Sequence, residues 1–128
     1  MKALKLAVAE SSAILRCGII ALLHRMPAAN VDILEIGDIS QLAAQLSRHR
    51  PDVLIVNPAS LGLCTPQQLR AQTGCEGMRC VALQLAMTDA VTLGAYDEVL
   101  SIYDSEDCVR RKICLLYTSP SPRDPKTS

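Results

Sequence analysis

Nucleophiles, bases and metal ligands are few in this chain, and their spacing is unpromising for catalysis. Six cysteines stand at positions 17, 64, 75, 80, 108 and 114. None forms a C-x-x-C pair, and the spacings fit no zinc template. They read as small buried hydrophobes in a reducing compartment. His24 and His49, the two histidines, fall at predicted helix ends. A cationic ring there complements the helix dipole, which is a capping role and not that of a catalytic or phosphocarrier base. Arg110-Arg111-Lys112 is a basic triplet in a predicted helix. Three charges would release few counterions from a nucleic acid, so the triplet reads as a solvated helix face. No G-x-G-x-x-G or G-x-x-x-x-G-K-[ST] phosphate loop occurs, and no Ser-centred nucleophile elbow.

The composition narrows the classes further. The 128 residues allow one domain. Of these, 49% are hydrophobic, with three Tyr, no Trp and no Phe. The core must therefore be built from Leu, Ile, Val, Ala, Met and Cys. Burying one such aliphatic side chain gives roughly 1.5–3 kcal/mol, so a core without rings is feasible. The formal net charge is zero, and the basic residues are scattered, which argues against a dedicated nucleic-acid domain. Single-strand stacking platforms need exposed rings that this chain lacks. No apolar run reaches the length of a transmembrane helix; the nearest, Ala13 to Leu23, is interrupted by Arg16. The first residues carry Lys2 and Lys5 but no small-residue cleavage site before Ser11-Ser12. The expectation is a cytoplasmic chain with no signal peptide and no membrane association.

Any site must be positioned by the elements that follow. Leu4 to Ala9 is a short apolar run and predicts a buried strand. Ser11-Ser12 offers an N-cap for a helix from Ala13 to Arg25, ended by Pro27. Val31 to Ile36 alternates and is β-branched, a second strand. Asp38 and Gln41 have capping-box spacing, and Ile39, Leu42, Ala43 and Leu46 make an apolar helical stripe closed by Pro51. Asp52 to Asn57 predicts the central strand. Thr65, Pro66 and Gln68 read as N-cap, N1 proline and capping-box partner of a third helix that Gly74 and Gly77 punctuate. Arg79 to Leu85 predicts a fourth strand, Thr88 or Asp89 to Gly94 a short helix, Val99 to Ile102 a fifth strand, and Ser105 to Ile113 a last helix. Strands and helices alternate five times, which predicts an α/β fold with a parallel sheet covered on both faces and right-handed crossovers. Such sheets place their sites at the carboxyl ends of the strands.

The chain changes character at Cys114. Three of its seven prolines lie in the last nine residues. Cys114 to Asp124 (CLLYTSPSPRD) matches the translation of a transposase adaptor used in preparing sequencing libraries. The reading is one domain over 1–113 and a non-native tail over 114–128, irregular after about 117. The last helix would then be truncated. Leu116 falls at the spacing of Val109 and Ile113, so the helix can run into the tail by accident.

Three stretches resemble the receiver domain of bacterial response regulators, most closely receivers that precede a LuxR-type helix-turn-helix domain. Val8-Ala9-Glu10-Ser11-Ser12 with Arg16-Cys17-Gly18 resembles their first strand, acidic pair and first helix. Arg50-Pro51-Asp52-Val53-Leu54-Ile55-Val56-Asn57, with Gly62, resembles the third strand and its phospho-acceptor loop. Asp97-Glu98-Val99-Leu100 resembles the start of the fifth strand. The resemblance implies a flavodoxin-like, doubly wound (βα)5 fold with strand order 2-1-3-4-5. It implies a site for phosphoryl transfer from a histidine kinase to an aspartate, assisted by Mg²⁺ on an acidic pair.

That set is broken here. The acceptor position holds Asn57, neutral and a poor nucleophile. The acidic pair is reduced to Glu10 and Ser11. The Thr/Ser position holds Gln84, the switch aromatic is Val99, and the Lys position falls at Ser101 or Ile102 with no Lys nearby in sequence. The resemblance therefore implies a degenerate pseudo-receiver with no catalytic residue, no cofactor, and weak or absent Mg²⁺ binding. Asn57 is expected to hydrogen-bond Gln84 or Glu10 and lock one conformation. Partners would be a second copy of the chain, a sensor protein or histidine kinase, and DNA only through a helix-turn-helix domain outside this sequence. Two alternatives stand beside this non-enzymatic regulator. One is a free-standing adaptor protein, separable by the gene sequence beyond Ile113. The other is a small-ligand-binding flavodoxin-like domain, separable by an absorbance spectrum and a ligand screen.

Overall fold

The computed structural model describes residues 4–25, 31–61, 64–84, 94–101 and 103–118. Five parallel strands form one sheet in the order β2-β1-β3-β4-β5. The strands are β1 (Leu4–Ala9), β2 (Val31–Ile36), β3 (Val53–Val56), β4 (Arg79–Gln84) and β5 (Glu98–Ser101). The helices are α1 (Ala13–His24), α2 (Leu42–His49), the single turn α3 (Pro58–Leu61), α4 (Pro66–Thr73) and α5 (Glu106–Thr118).

The sheet divides the core in two. Leu6, Val8, Val53, Ile55, Val81, Leu83 and Leu100 face one side and pack with Leu23 of α1 and Val109 and Ile113 of α5. Ala7, Ala9, Leu54, Val56 and Cys80 face the other, against Leu42 and Leu46 of α2 and Leu69 of α4. This alternation is the two-residue period of a strand covered on both faces. It explains why β3, buried at all four positions, reads in sequence as a continuous apolar run. Aliphatic side chains fill most of both halves, joined on the second side by buried Cys75, Met78 and Cys80 and by half-buried Tyr96.

Local signals place most helix ends. Ser12 caps α1 by accepting from Leu15 N at 3.4 Å. Thr65 and Gln68 form the expected capping box on α4, and Gly74 closes that helix in the left-handed conformation. The start of α2 departs from expectation. The Asp38 carboxylate accepts from Ser40 N and Ser40 Oγ, Gln41 N donates to the Asp38 carbonyl at 3.0 Å, and a 3₁₀ turn (Ile39–Gln41) leads into the helix. Serine offers two donors within reach of the short carboxylate, so Asp38 caps the 3₁₀ turn and not α2 itself.

Strand limits differ by a residue or so. Asp52 lies before β3, and its carboxylate accepts from Lys5 N at 3.0 Å, which ties the start of β3 to β1. Asn57 lies just after β3 and begins α3, a turn the apolar pattern did not announce. β5 starts one residue earlier than expected, at Glu98, while Leu85, Ile102 and the helix expected between Thr88 and Gly94 lie outside the described residues, apart from Gly94 itself. α5 continues past Ile113 to Thr118. The cysteines are less buried than expected: Cys75 and Cys80 are buried, Cys64 and Cys108 partly, and Cys17 is exposed, all five as free thiols.

Candidate functional site at the carboxyl ends of the strands

Glu10 and Asn57 follow directly on β1 and β3, whose last residues Ala9 and Val56 are register partners. The two side chains therefore start from adjacent points on the carboxyl edge of the sheet. Gln84 and Ser101, the last residues of β4 and β5, are register partners further along the same edge. Val99 pairs with Ala82 one turn of the pleat back. The fold thus gathers Glu10, Ser11, Asn57 and Gln84 along one edge, with Val99 set two residues back inside β5, while Ile102 lies outside the described residues.

Glu10 is a buried carboxylate, 4% exposed. Its Oε2 accepts from Ser12 N at 2.8 Å and from Ser11 Oγ at 3.5 Å. Its Oε1 is buried and has no hydrogen-bond partner. Asn57 is half-buried, and its Oδ1 accepts from Ala59 N at 3.0 Å while its carbonyl accepts from Ser60 N at 2.9 Å. The asparagine caps α3. Among the described residues no hydrogen bond joins it to Gln84 or Glu10, which corrects the expected lock. The reason is local: an amide two residues along the chain is entropically closer than a side chain on another strand.

Neither the family models nor the curated proteins contain a match to this chain. Solved structures do match. The signal receiver domain of a DNA-binding response regulator from Colwellia psychrerythraea 34H superposes with a TM-score of 0.73 at 14% identity, over 90% of this chain and 98% of that one. A LuxR-family DNA-binding response regulator from Staphylococcus aureus gives 0.68 at 12% identity, over 88% and 98%. The receiver domain of a sensor histidine kinase from Pseudomonas aeruginosa PAO1, with magnesium coordinated in its active-site cleft, gives 0.68 at 15% identity, over 91% and 97%.

The chain has the receiver-domain fold.

The magnesium that the receiver fold implies finds a poor donor set here. Mg²⁺ demands near-octahedral oxygen ligation anchored on carboxylates. The ends of β1 and β3 supply one carboxylate, Glu10, with one oxygen already held by Ser12 and Ser11, and Asn57 Oδ1 is held by Ala59. No group of three or more His, Cys, Asp or Glu able to hold a metal occurs among the described residues. Glu10 Oε1 alone does not make a receiver metal site.

Two residues near the fifth strand of this receiver fold were missed in the sequence. Lys112 leaves α5 to reach Val99 O at 2.6 Å and Asp104 Oδ2 at 2.9 Å. It is therefore not part of a solvated basic face, although Arg111 is exposed and Arg110 pairs with Glu106 and Asp107. Asp104 Oδ2 also accepts from Ser101 N at 3.0 Å. That backbone bond, with Lys112 beside it, holds the Asp104 carboxyl below its ordinary value. Desolvation works against the Lys112 charge, yet Asp104 outweighs it and raises the amine above its ordinary value. A Lys at α5 spacing could have been suspected only by knowing how α5 lies on β5.

Asp97 makes a second junction. Its Oδ2 accepts from Cys80 N and from Arg70 Nη2, each at 2.7 Å, while Asp97 N donates to Cys80 O at 2.8 Å. The start of β5 is thereby bolted to β4 and α4. Cys80 beneath it is pushed up to about 11 by burial, and Tyr96 to about 12, also by burial. Thiols held this far from the thiolate form are structural and not reactive.

Proposed function

We propose that this chain is the receiver-like signalling and interaction module of a two-component-type, DNA-binding response regulator, with the phosphoryl switch lost. The observation that carries the reading is Asn57: it stands at the carboxyl end of β3, and its side-chain oxygen caps α3 through Ala59 N. A neutral amide used as a cap is neither a nucleophile nor a magnesium ligand of the needed charge. The module would act by binding, without enzymatic activity. It would bind a second copy of the chain, a sensor protein or histidine kinase, and its own helix-turn-helix domain in the full gene product. Such a module works in the cytoplasm; no helix among the described residues is long and apolar enough to cross a membrane.

Incubation with acetyl phosphate, or with beryllofluoride, in the presence of Mg²⁺ tests this. Intact mass should show no phosphoryl adduct, and amide resonances around Asn57 should not move with Mg²⁺. A covalent adduct or a magnesium-dependent shift overturns the reading. We further propose that residues 114–128 translate adaptor sequence and that the domain spans 1–113. The nucleotide sequence tests it: codons that differ from the adaptor's remove the idea.

A further inference from the structure

Asn57 is followed by Pro58, a residue without a backbone N–H. An asparagine ordinarily loses its side-chain amide when the main-chain nitrogen of the next residue attacks Cγ. The nitrogen–Cγ bond forms, the Cγ–Nδ2 bond breaks, and ammonia leaves with the proton that the attacking nitrogen gives up. Water then opens the cyclic imide to a carboxylate. The attacking nitrogen must carry a hydrogen that it can lose. Pro58 carries none, so this route is closed at Asn57.

The next nucleophile along the chain is badly placed. Ala59 N donates to Asn57 Oδ1 at 3.0 Å, so its hydrogen faces the oxygen, and attack on Cγ would have to close a much larger ring. Direct attack by water remains, and it is slow without a positioned acid or base. Pro58 is itself buried at the first position of α3, where a proline suits the helix because no donor is needed there. The same residue can therefore start the turn and deny the amide its usual attacker. What is denied matters at this place in the fold. Val56 and Ala9 are register partners, and Asn57 and Glu10 follow them. Loss of the amide would create a second carboxylate at the edge where Glu10 is already buried.

We infer that Pro58 protects the Asn57 amide, so that the chain does not acquire a carboxylate at that position as it ages. The consequence for signalling rests on reading Asn57 as the replaced phosphoryl acceptor: the switch then stays silent for the lifetime of the molecule. The two readings fail separately. A phosphoryl adduct on fresh protein removes the first without touching the amide, and loss of the amide removes the second without any phosphoryl donor.

Peptide mapping by mass spectrometry tests it on the full 128-residue chain, aged in alkaline buffer with and without urea. Each lost amide adds about 1 Da, as NH₂ gives way to OH. Asn30, the other asparagine, is followed by Val31 and serves as the internal control. In urea the wild-type chain should gain mass at Asn30 and none at Asn57, a comparison that needs neither a variant nor a folded state. Pro58→Gly restores the N–H, and this variant should gain mass at Asn57 both in urea and in native buffer. A role of Pro58 confined to starting α3 predicts no such gain in urea, where the helix is gone. A wild-type chain that loses the Asn57 amide in urea as fast as the Asn30 amide overturns the inference. A Pro58→Gly chain that keeps the Asn57 amide as long as wild type does, in either buffer, overturns it as well.

Discussion

Arg16 Nη1 lies 2.6 Å from the main-chain oxygen of Glu10, and the same guanidinium reaches Glu35 Oε2 through Nε at 2.9 Å. One side chain of α1 thus ties the end of β1 to the end of β2. It does so by lying across Gly37, where a Cβ would come within 3.0 Å of Nη1.

Gly37→Ala should therefore displace Arg16. Hydrogen bonds to a charged group contribute about 1.5–3 kcal/mol, more than the roughly 0.4–1 kcal/mol that alanine gains by restricting the unfolded chain. The expected outcome in urea unfolding is a net loss of about 1 kcal/mol. In an Arg16→Ala background the sign should reverse, with Gly37→Ala neutral or stabilising. A double-mutant cycle reads this coupling directly.

The role of Asn57 as a cap predicts a contrast between two substitutions. Asn57→Ala removes the acceptor for Ala59 N and should cost about 1 kcal/mol in unfolding free energy. Asn57→Asp keeps the acceptor and should lie within about 0.5 kcal/mol of wild type. Equal losses for both would mean that the hydrogen bond is not what the side chain contributes.

Arg50 closes α2 with φ of 49°, the one positive value among described residues other than glycine. The left-handed conformation costs a side-chain-bearing residue about 1–2 kcal/mol, and glycine returns roughly 0.5–1 kcal/mol of that as extra unfolded-state entropy. Arg50→Gly should raise the urea midpoint by an amount equivalent to about 0.5 kcal/mol, with the slope unchanged.

The Asp104–Lys112 pair predicts a pH window. Asp104 has its folded value lowered from 3.8, so its contribution is complete above that pH and is lost as pH falls through the lower folded value. Lys112 has its folded value raised from 10.5, so its contribution is complete below that pH and is lost as pH rises through the higher folded value. Asp104→Asn should cost about 1.5–3 kcal/mol. The difference from wild type should be flat between about pH 5 and 9 and shrink at both extremes, as followed by urea unfolding across pH.

How much of this was legible in the sequence depended on the range of the forces involved. Thr65, Gln68 and Gly74 announced both ends of α4 because a cap is made within one turn. The apolar run of β3 announced a strand covered on both faces. Asp38 was legible as a cap but not its partner, because Ser40 and Gln41 compete within the same turn. Asn57 was legible as the residue that follows the central strand, whereas its bond to Ala59 was not, since the turn Pro58–Leu61 leaves no apolar signature. Lys112 was misread as solvated because helical spacing does not say which strand lies under a helix.

The amino-acid order alone determined the alternation of strands and helices, the mainly aliphatic core and the residue types, Glu10, Ser11 and Asn57, at the ends of β1 and β3. These follow from periodicity and residue type, which act over a few neighbouring positions. Only the tertiary structure decided that Arg16 spans Glu10 and Glu35 over Gly37 and that Lys112 returns to Val99. Each joins residues far apart in the chain, and such contacts depend on how rigid elements settle against one another, a property no local pattern encodes.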